Sequence, residues 1–210
     1  MHIPDGFIPL GQAAVYSAAA LLFAARSFKW VREEFGEAPL LATLAAGIFA
    51  IQALNVPIPW GTSGHMTGGV LAAILLGSPW AGVFILSIVL LVQALFFADG
   101  GITVLGANIL NIGVISSFAG YYTYLALKRR VGIAGASFAG AWFGLVAAAL
   151  ATAVELAIAG TFPLREGLLF MGMYHAVIGL VAEGTLTALV VTTVLKVSPE
   201  ILPARAREVV

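Results

Sequence analysis

Residues 66–98 read MTGGVLAAILLGSPWAGVFILSIVLLVQALFFA, and the contrast between their two halves decides the fold. Pro79 to Ala98 is long and apolar enough to cross a hydrocarbon core of about 30 Å, which takes about 20 helical residues. Met66 to Gly77 makes only roughly 17 Å of helix at 1.5 Å per residue. The short run therefore starts partway into the membrane. The stretch before it, Val56-Pro57-Ile58-Pro59-Trp60-Gly61-Thr62-Ser63-Gly64, is too rich in Pro and Gly for regular helix. Irregular backbone at membrane depth is tolerated only where it lines a cavity or is covered by protein. A short segment interrupted by Gly and Pro is also a pointer to a binding site in transporters.

Outward from this pair the same pattern repeats. The chain is 61% hydrophobic and 10% charged, with a mean hydropathy of +1.04, whereas a soluble domain carries about 25% charge. Apolar run lengths place helices at 10–27, 39–55, 66–77, 79–98, 104–127, 133–160 and 168–196. The expected fold class is all-α integral membrane, a bundle of seven transmembrane helices in a single domain over 1–210. An N-terminal segment and a re-entrant loop converge on its extracytoplasmic side. Orientation follows from the basic residues. Nine of the ten Lys and Arg fall on one side (Arg26, Lys29, Arg32, Lys128, Arg129, Arg130, Lys196, Arg205, Arg207) and only Arg165 on the other. By the positive-inside rule this puts the N-terminus outside and the C-terminus in the cytoplasm, in a multi-pass cell-membrane protein. No Lys or Arg precedes the first apolar run, so it lacks the basic start of a signal peptide and is expected to be retained. Zero net charge gives no reason to expect nucleic acid. The absence of cysteine excludes disulfides, thiolate metal sites and Cys nucleophiles.

On this map the polar residues gather in the outer half: Gln52, Asn55, His65, Gln93, Asn108, Asn111, Glu155 and His175, with Glu183 alone near mid-membrane. Polar groups in membrane helices face the bundle interior or a cavity, and ordinary interhelical hydrogen bonding accounts for a share of them.

The first seven residues carry the most specific chemistry. In Met1-His2 the terminal amine and the His2 amide nitrogen close a five-membered ring on a metal, and the amide nitrogen and His2 Nδ1 close a six-membered ring. Three nitrogens in a plane with a fourth corner open suit Ni(II) or Cu(II). Amine and amide must lose protons to bind, so the N-terminus has to be free. His65 is the candidate for the fourth corner, kept neutral by the start of the third helix, and His175 is the reserve candidate, as a ligand, as a group that orients one, or as a gate. Pro4-Asp5-Gly6 reads as a turn that folds the first residues back into the bundle, with Asp5 either pairing with a loop donor or making an Asx turn. Ser63, Asn108, Asn111 and Glu155 are candidates for orienting a ligating imidazole.

Met1-His2-Ile3-Pro4-Asp5-Gly6-Phe7 resembles the amino-terminal motif of the substrate-binding (S) component of nickel/cobalt energy-coupling factor (ECF) transporters, the CbiM/NikM type. Gly61-Thr62-Ser63-Gly64-His65-Met66 matches that family's second motif. Residues 100–108, GGITVLGAN, are similar to its third, and Tyr174 to Gly179 with Glu183-Gly184 resemble its last-helix motif. The resemblance implies an N-terminal loop inserted into the bundle, with Met1, His2 and His65 holding Ni(II) or Co(II) as transported substrate. It also implies a transmembrane T component, two cytoplasmic ATPase subunits and, in some systems, a small accessory membrane subunit as partners, besides the lipid bilayer. The chain has no P-loop motif of its own. Ala42, Ala46 and Ala50 form a small-residue stripe that serves either T-component docking or packing within the bundle.

Two other functions fit parts of the pattern. Gly61-Thr62-Ser63-Gly64 with His175 would suit an intramembrane serine protease using a Ser-His dyad, though this leaves His2 unexplained. A channel or carrier for a non-metal solute would be indifferent to extension of the N-terminus.

Overall fold

Buried polar and exposed apolar residues are exchanged relative to a soluble protein. Leu21, Leu22, Phe96, Val181 and Val197 are each more than two-thirds exposed, while Gln52, Thr67, Asn111, Ser116, His175 and Glu183 are fully buried. A folded chain presents such a surface to lipid rather than to water. The computed structural model describes residues 1–34, 39–59 and 62–209. Trp60 and Gly61 of the expected re-entrant loop, and with them Gly61 of the GxSG pattern, lie outside the described residues.

The helices are α1 (Leu10–Glu34), α2 (Pro39–Gln52), α3 (Gly69–Leu76), α4 (Pro79–Phe96), α5 (Leu105–Ile158), α6 (Leu164–Val197) and a short α7 (Ala204–Val209). Among the described residues α4, α5 and α6 are long and apolar enough to cross a membrane. Strands β1 (Val56–Ile58) and β2 (Thr62–Gly64) pair antiparallel, with Pro57 opposite Ser63. The described ends of the Pro/Gly-rich stretch, 56–58 and 62–64, thus pair as a small ribbon.

Several bounds differ from the expected ones. α1 runs on to Glu34 instead of stopping at 27, and α2 stops at Gln52 rather than 55. α3 begins at Gly69, three residues late, because Gly68 takes a left-handed φ of 73° at its start; Gly77, also at 73°, ends it. α6 begins at Leu164, directly after Pro163, which fixes a helical entry. The expected helices 104–127 and 133–160 extend toward each other and meet at Gly132, whose non-helical conformation (φ 73°, ψ 173°) separates two limbs. That one residue reverses the chain. A Cβ at Gly140 would lie 2.6 Å from the Gly120 carbonyl, and one at Gly144 2.5 Å from the Ser116 carbonyl. The two limbs therefore pack antiparallel, backbone against backbone, as small residues allow in membranes.

α3 is the centre of the packing. All eight of its residues are buried, under α4, the first limb of α5, and α6. Two π turns, Ile109–Ile115 in α5 and Gly179–Glu183 in α6, bring Asn111 and Glu183 to fully buried positions. Such turns recur at functional sites.

Candidate metal centre

The N-terminal strap, residues 1–7, lies between the ribbon and the loop that leads into α5. Met1 and Ile3 are completely buried and His2 is 4% exposed. Asn108 holds the strap by its backbone: Ile3 N–H donates to Asn108 Oδ1 (2.9 Å), and Asn108 Nδ2 donates to Ile3 O (3.1 Å). Gly101 N–H also donates to Ile3 O (2.9 Å). The Asp5 carboxylate accepts from Thr103 N–H (2.8 Å), Ile102 N–H (3.2 Å) and the Thr103 hydroxyl. These bonds, the Thr103 hydroxyl first, hold the Asp5 carboxyl below its usual range. On the ribbon side the Thr62 hydroxyl donates to His2 O (3.3 Å), and the Met1 amine donates to Ser63 Oγ (3.2 Å).

Burial takes the Met1 amine well below its ordinary pKa, against the pull of Asp99. Burial also lowers His2, with the Asp99 carboxylate opposing it. Both shifts favour the neutral, lone-pair form that a metal requires. The His2 and His65 rings stack, with centroids 4.3 Å apart and planes 17° from parallel. His65 Nδ1 is 2.7 Å from Met66 O. A carbonyl only accepts, so Nδ1 carries the proton and Nε2 keeps a bare lone pair, buried and without a partner among the described residues. The start of α3 does not supply this neutrality as expected, because the helix begins four residues further on. Burial keeps the ring neutral instead, and the Met66 carbonyl fixes its tautomer. His175 is set the same way: Nδ1 donates to Met171 O (2.8 Å), leaving Nε2 buried and unpartnered.

The structure brings Met1, His2, His65 and Ser63 together and gives the other candidates different partners. Asn108 orients the Ile3 backbone rather than an imidazole. Asn111 Nδ2 donates to Glu155 Oε2 (2.6 Å), and Gln12 Nε2 donates to the Glu155 carbonyl (3.0 Å). This pair ties α5 to itself and to α1. Ser63 Oγ serves the amine, and His175 has Nδ1 committed and Nε2 without a partner, so the bond of a Ser63–His175 dyad is not made. Among the described residues no three His, Asp or Glu side chains converge as metal ligands. A metal here would need backbone nitrogen and the terminal amine beside the two imidazoles, the donor set expected from the first dipeptide.

Three residues carry roles that the sequence reading did not assign. Glu183 accepts from Thr67 N–H (2.7 Å), the Thr67 hydroxyl (2.8 Å) and Gly68 N–H (2.9 Å), clamping the backbone between His65 and α3. Gln52 Nε2 adds a bond to Thr67 O (2.7 Å). Asp99, just past α4, places Oδ1 3.0 Å from His2 Nδ1. Its isolation at a helix end gave no periodic or spacing signal.

The family model for the cobalt uptake substrate-specific transmembrane region, CbiM, matches residues 2–201. The chain is 38% identical to the fused nickel transport protein NikMN of Rhodobacter capsulatus, over 98% of this chain and 65% of that one. It is 36% identical to the cobalt transport protein CbiM of Geobacter sulfurreducens, over 96% and 61%. A truncated transition metal transporter of known crystal structure superposes with a TM-score of 0.88 at 36% identity, covering 93% of this chain and 99% of that one. With its ribbon, its buried α3 and all of the strap but Met1 lying within the matched residues, the chain belongs to the CbiM family of substrate-specific transmembrane regions.

Proposed function

We propose that this chain is the substrate-capturing membrane component of an ATP-driven nickel or cobalt importer of the ECF type. The observation that carries the reading is the N-terminus: a fully buried Met1 amine, held on Ser63 Oγ beside two stacked imidazoles. A buried terminal charge without a counter-ion is costly, and binding a cation through the neutral amine gives the burial a purpose. The ion arrives from outside and is held by the Met1 amine, the His2 amide, an imidazole nitrogen of His2 and His65 Nε2. A planar nitrogen set favours Ni(II) over Co(II). The bundle crosses the membrane seven times, counting the two limbs of α5 and the partial crossing by α3, with the N-terminus outside. The chain is not an enzyme, and it relies on a T component and two ATPase subunits for energy, with a small accessory membrane subunit in some assemblies. Ala42, Ala46 and Ala50 are all exposed on α2, which supports an outward docking stripe over packing within the bundle.

Metal content after nickel loading and washing tests the reading. Protein beginning at Met1, its terminus verified by mass spectrometry, is expected to retain about one nickel per chain. Protein with one residue added before Met1 is expected to lose it, because the added peptide bond removes the amine. Equal retention by both would exclude the amine as a ligand.

A further inference from the structure

Outside His2 the molecule opens into a groove of about 400 Å³, bordered by Asn55, Ser63, Asp99 and Gly100. Among the described residues of that lining, Asp99 is the one carboxylate. A single carboxylate in a low-dielectric cleft raises the local concentration of cations. The chain is shaped around it. Ala98, just before it, has a φ of 53°, a left-handed conformation that costs a residue with a Cβ about 1–2 kcal/mol. Asp99 N–H returns to Gln93 O (3.2 Å), and Asn55 Nδ2 donates to Asp99 Oδ2 (3.3 Å). Oδ2 is thereby anchored and Oδ1 is turned toward His2.

Oδ1 lies 3.0 Å from His2 Nδ1, and Nδ1 has no hydrogen-bond partner among the described residues that satisfies distance and angle together. Two donors bound side by side to one first-row cation, with bonds of about 2.0–2.1 Å, stand about 2.8–3.0 Å apart at a right angle. The spacing fits a pair of lone pairs that converge on a third atom.

We propose that Asp99 Oδ1 and His2 Nδ1 form a capture site at the floor of the groove, which takes up a divalent first-row cation before it passes to the amine and His65. The proposal rests on the reading of the chain as a nickel or cobalt importer component. Capture is ligand exchange without redox change. The hydrated ion releases water to the groove and gains one bond to Oδ1 and one to Nδ1, the ring proton being carried by Nε2. Transfer then breaks the bond to Oδ1 as the inner nitrogens replace it, and His2 Nδ1 stays on the ion throughout. Asp99 thus sets the rate of loading, while the inner donors set retention.

Stopped-flow loading of the purified full chain with Ni(II) separates the two. Asp99→Asn is expected to slow association by roughly tenfold or more and to remove most of its dependence on ionic strength, with dissociation unchanged. Asp99→Glu, which keeps the charge, is expected to recover most of the association rate. Asn55→Ala, which frees Oδ2 at an exposed position, should give a smaller loss in the same rate constant. Unchanged association in Asp99→Asn and Asn55→Ala would overturn the capture site. So would faster dissociation with unchanged association, which would make Asp99 part of the inner site. A native chain that takes up no nickel at all would instead fail the importer reading itself.

Discussion

The strap of residues 1–7 and the segment from His65 through α3 both border the candidate metal centre, and they are fixed in different ways. α3 is buried on every face, its apolar residues under α4, α5 and α6. Its entry is clamped by a carboxylate that accepts three bonds. The strap has little apolar anchorage beyond Met1 and Ile3, with Phe7 partly buried beside them. It hangs on side chain to backbone bonds from Asn108, Asp5, Thr62 and Ser63. Dispersion over a close-packed surface resists displacement as a whole, whereas a few polar bonds can be exchanged one at a time for water or for other partners. His65 therefore belongs to the wall of the site, and Met1 and His2 to its removable cover.

That contrast breaks most visibly at Glu183. Replacing Glu183 by Ala leaves Thr67 N–H, the Thr67 hydroxyl and Gly68 N–H without their acceptor where no water reaches. Each unpaired buried donor costs roughly 1–3 kcal/mol. The expected outcome is loss of folded protein, seen as a collapse of the monodisperse peak and of the thermal transition in detergent. Glu183→Gln keeps one acceptor oxygen and should fold with reduced stability. A Glu183→Ala chain with native stability would mean that apolar packing alone fixes α3.

At Asn108 the same comparison predicts damage without unfolding. Asn108→Ala removes both bonds to Ile3 while the helices keep their packing. Nickel affinity is expected to fall by roughly 10–100-fold, the usual effect of removing a group that orients a ligand, with the melting temperature little changed. Equal losses at Asn108 and at Glu183 in both measurements would erase the distinction between cover and wall.

These two residues also mark how far the sequence could be read. The chelate proposed for Met1 and His2 could be drawn from the sequence because its donors are adjacent in the chain and their ring sizes follow from covalent geometry. The short third run was legible because helix length counts residues against membrane thickness. The partners of Glu183 and Asn108 were not. They lie 116 and 105 residues away, and a buried Glu or Asn has the same local pattern whether it bonds a helix entry, a strap or another side chain. The π turns that carry Asn111 and Glu183 were equally hidden, since one extra residue in a helical turn leaves an apolar run unbroken. Asp99 escaped notice because its role depends on a φ at Ala98 that the sequence does not announce.

The smallest effect is expected at Asp5, which ties the strap at its exposed end. Its bonds to Thr103 and Ile102 hold the folded carboxyl below its usual pKa. By linkage this contribution is present above the unfolded pKa of about 3.9, and it is lost as pH falls through the lower folded value. At pH 7 it is therefore fully in force, and acidification to pH 5 should leave it intact. Asp5→Asn keeps an acceptor oxygen but loses the charge that strengthens it. Because the group is exposed, solvent screens most of that difference. Nickel affinity at pH 7 is expected to fall by no more than about threefold, and dissociation to quicken more than association slows, since Asp5 lies on the cover and not in the groove. A loss at Asp5 as large as that at Asn108 would show that the strap is held as one cooperative unit, not bond by bond.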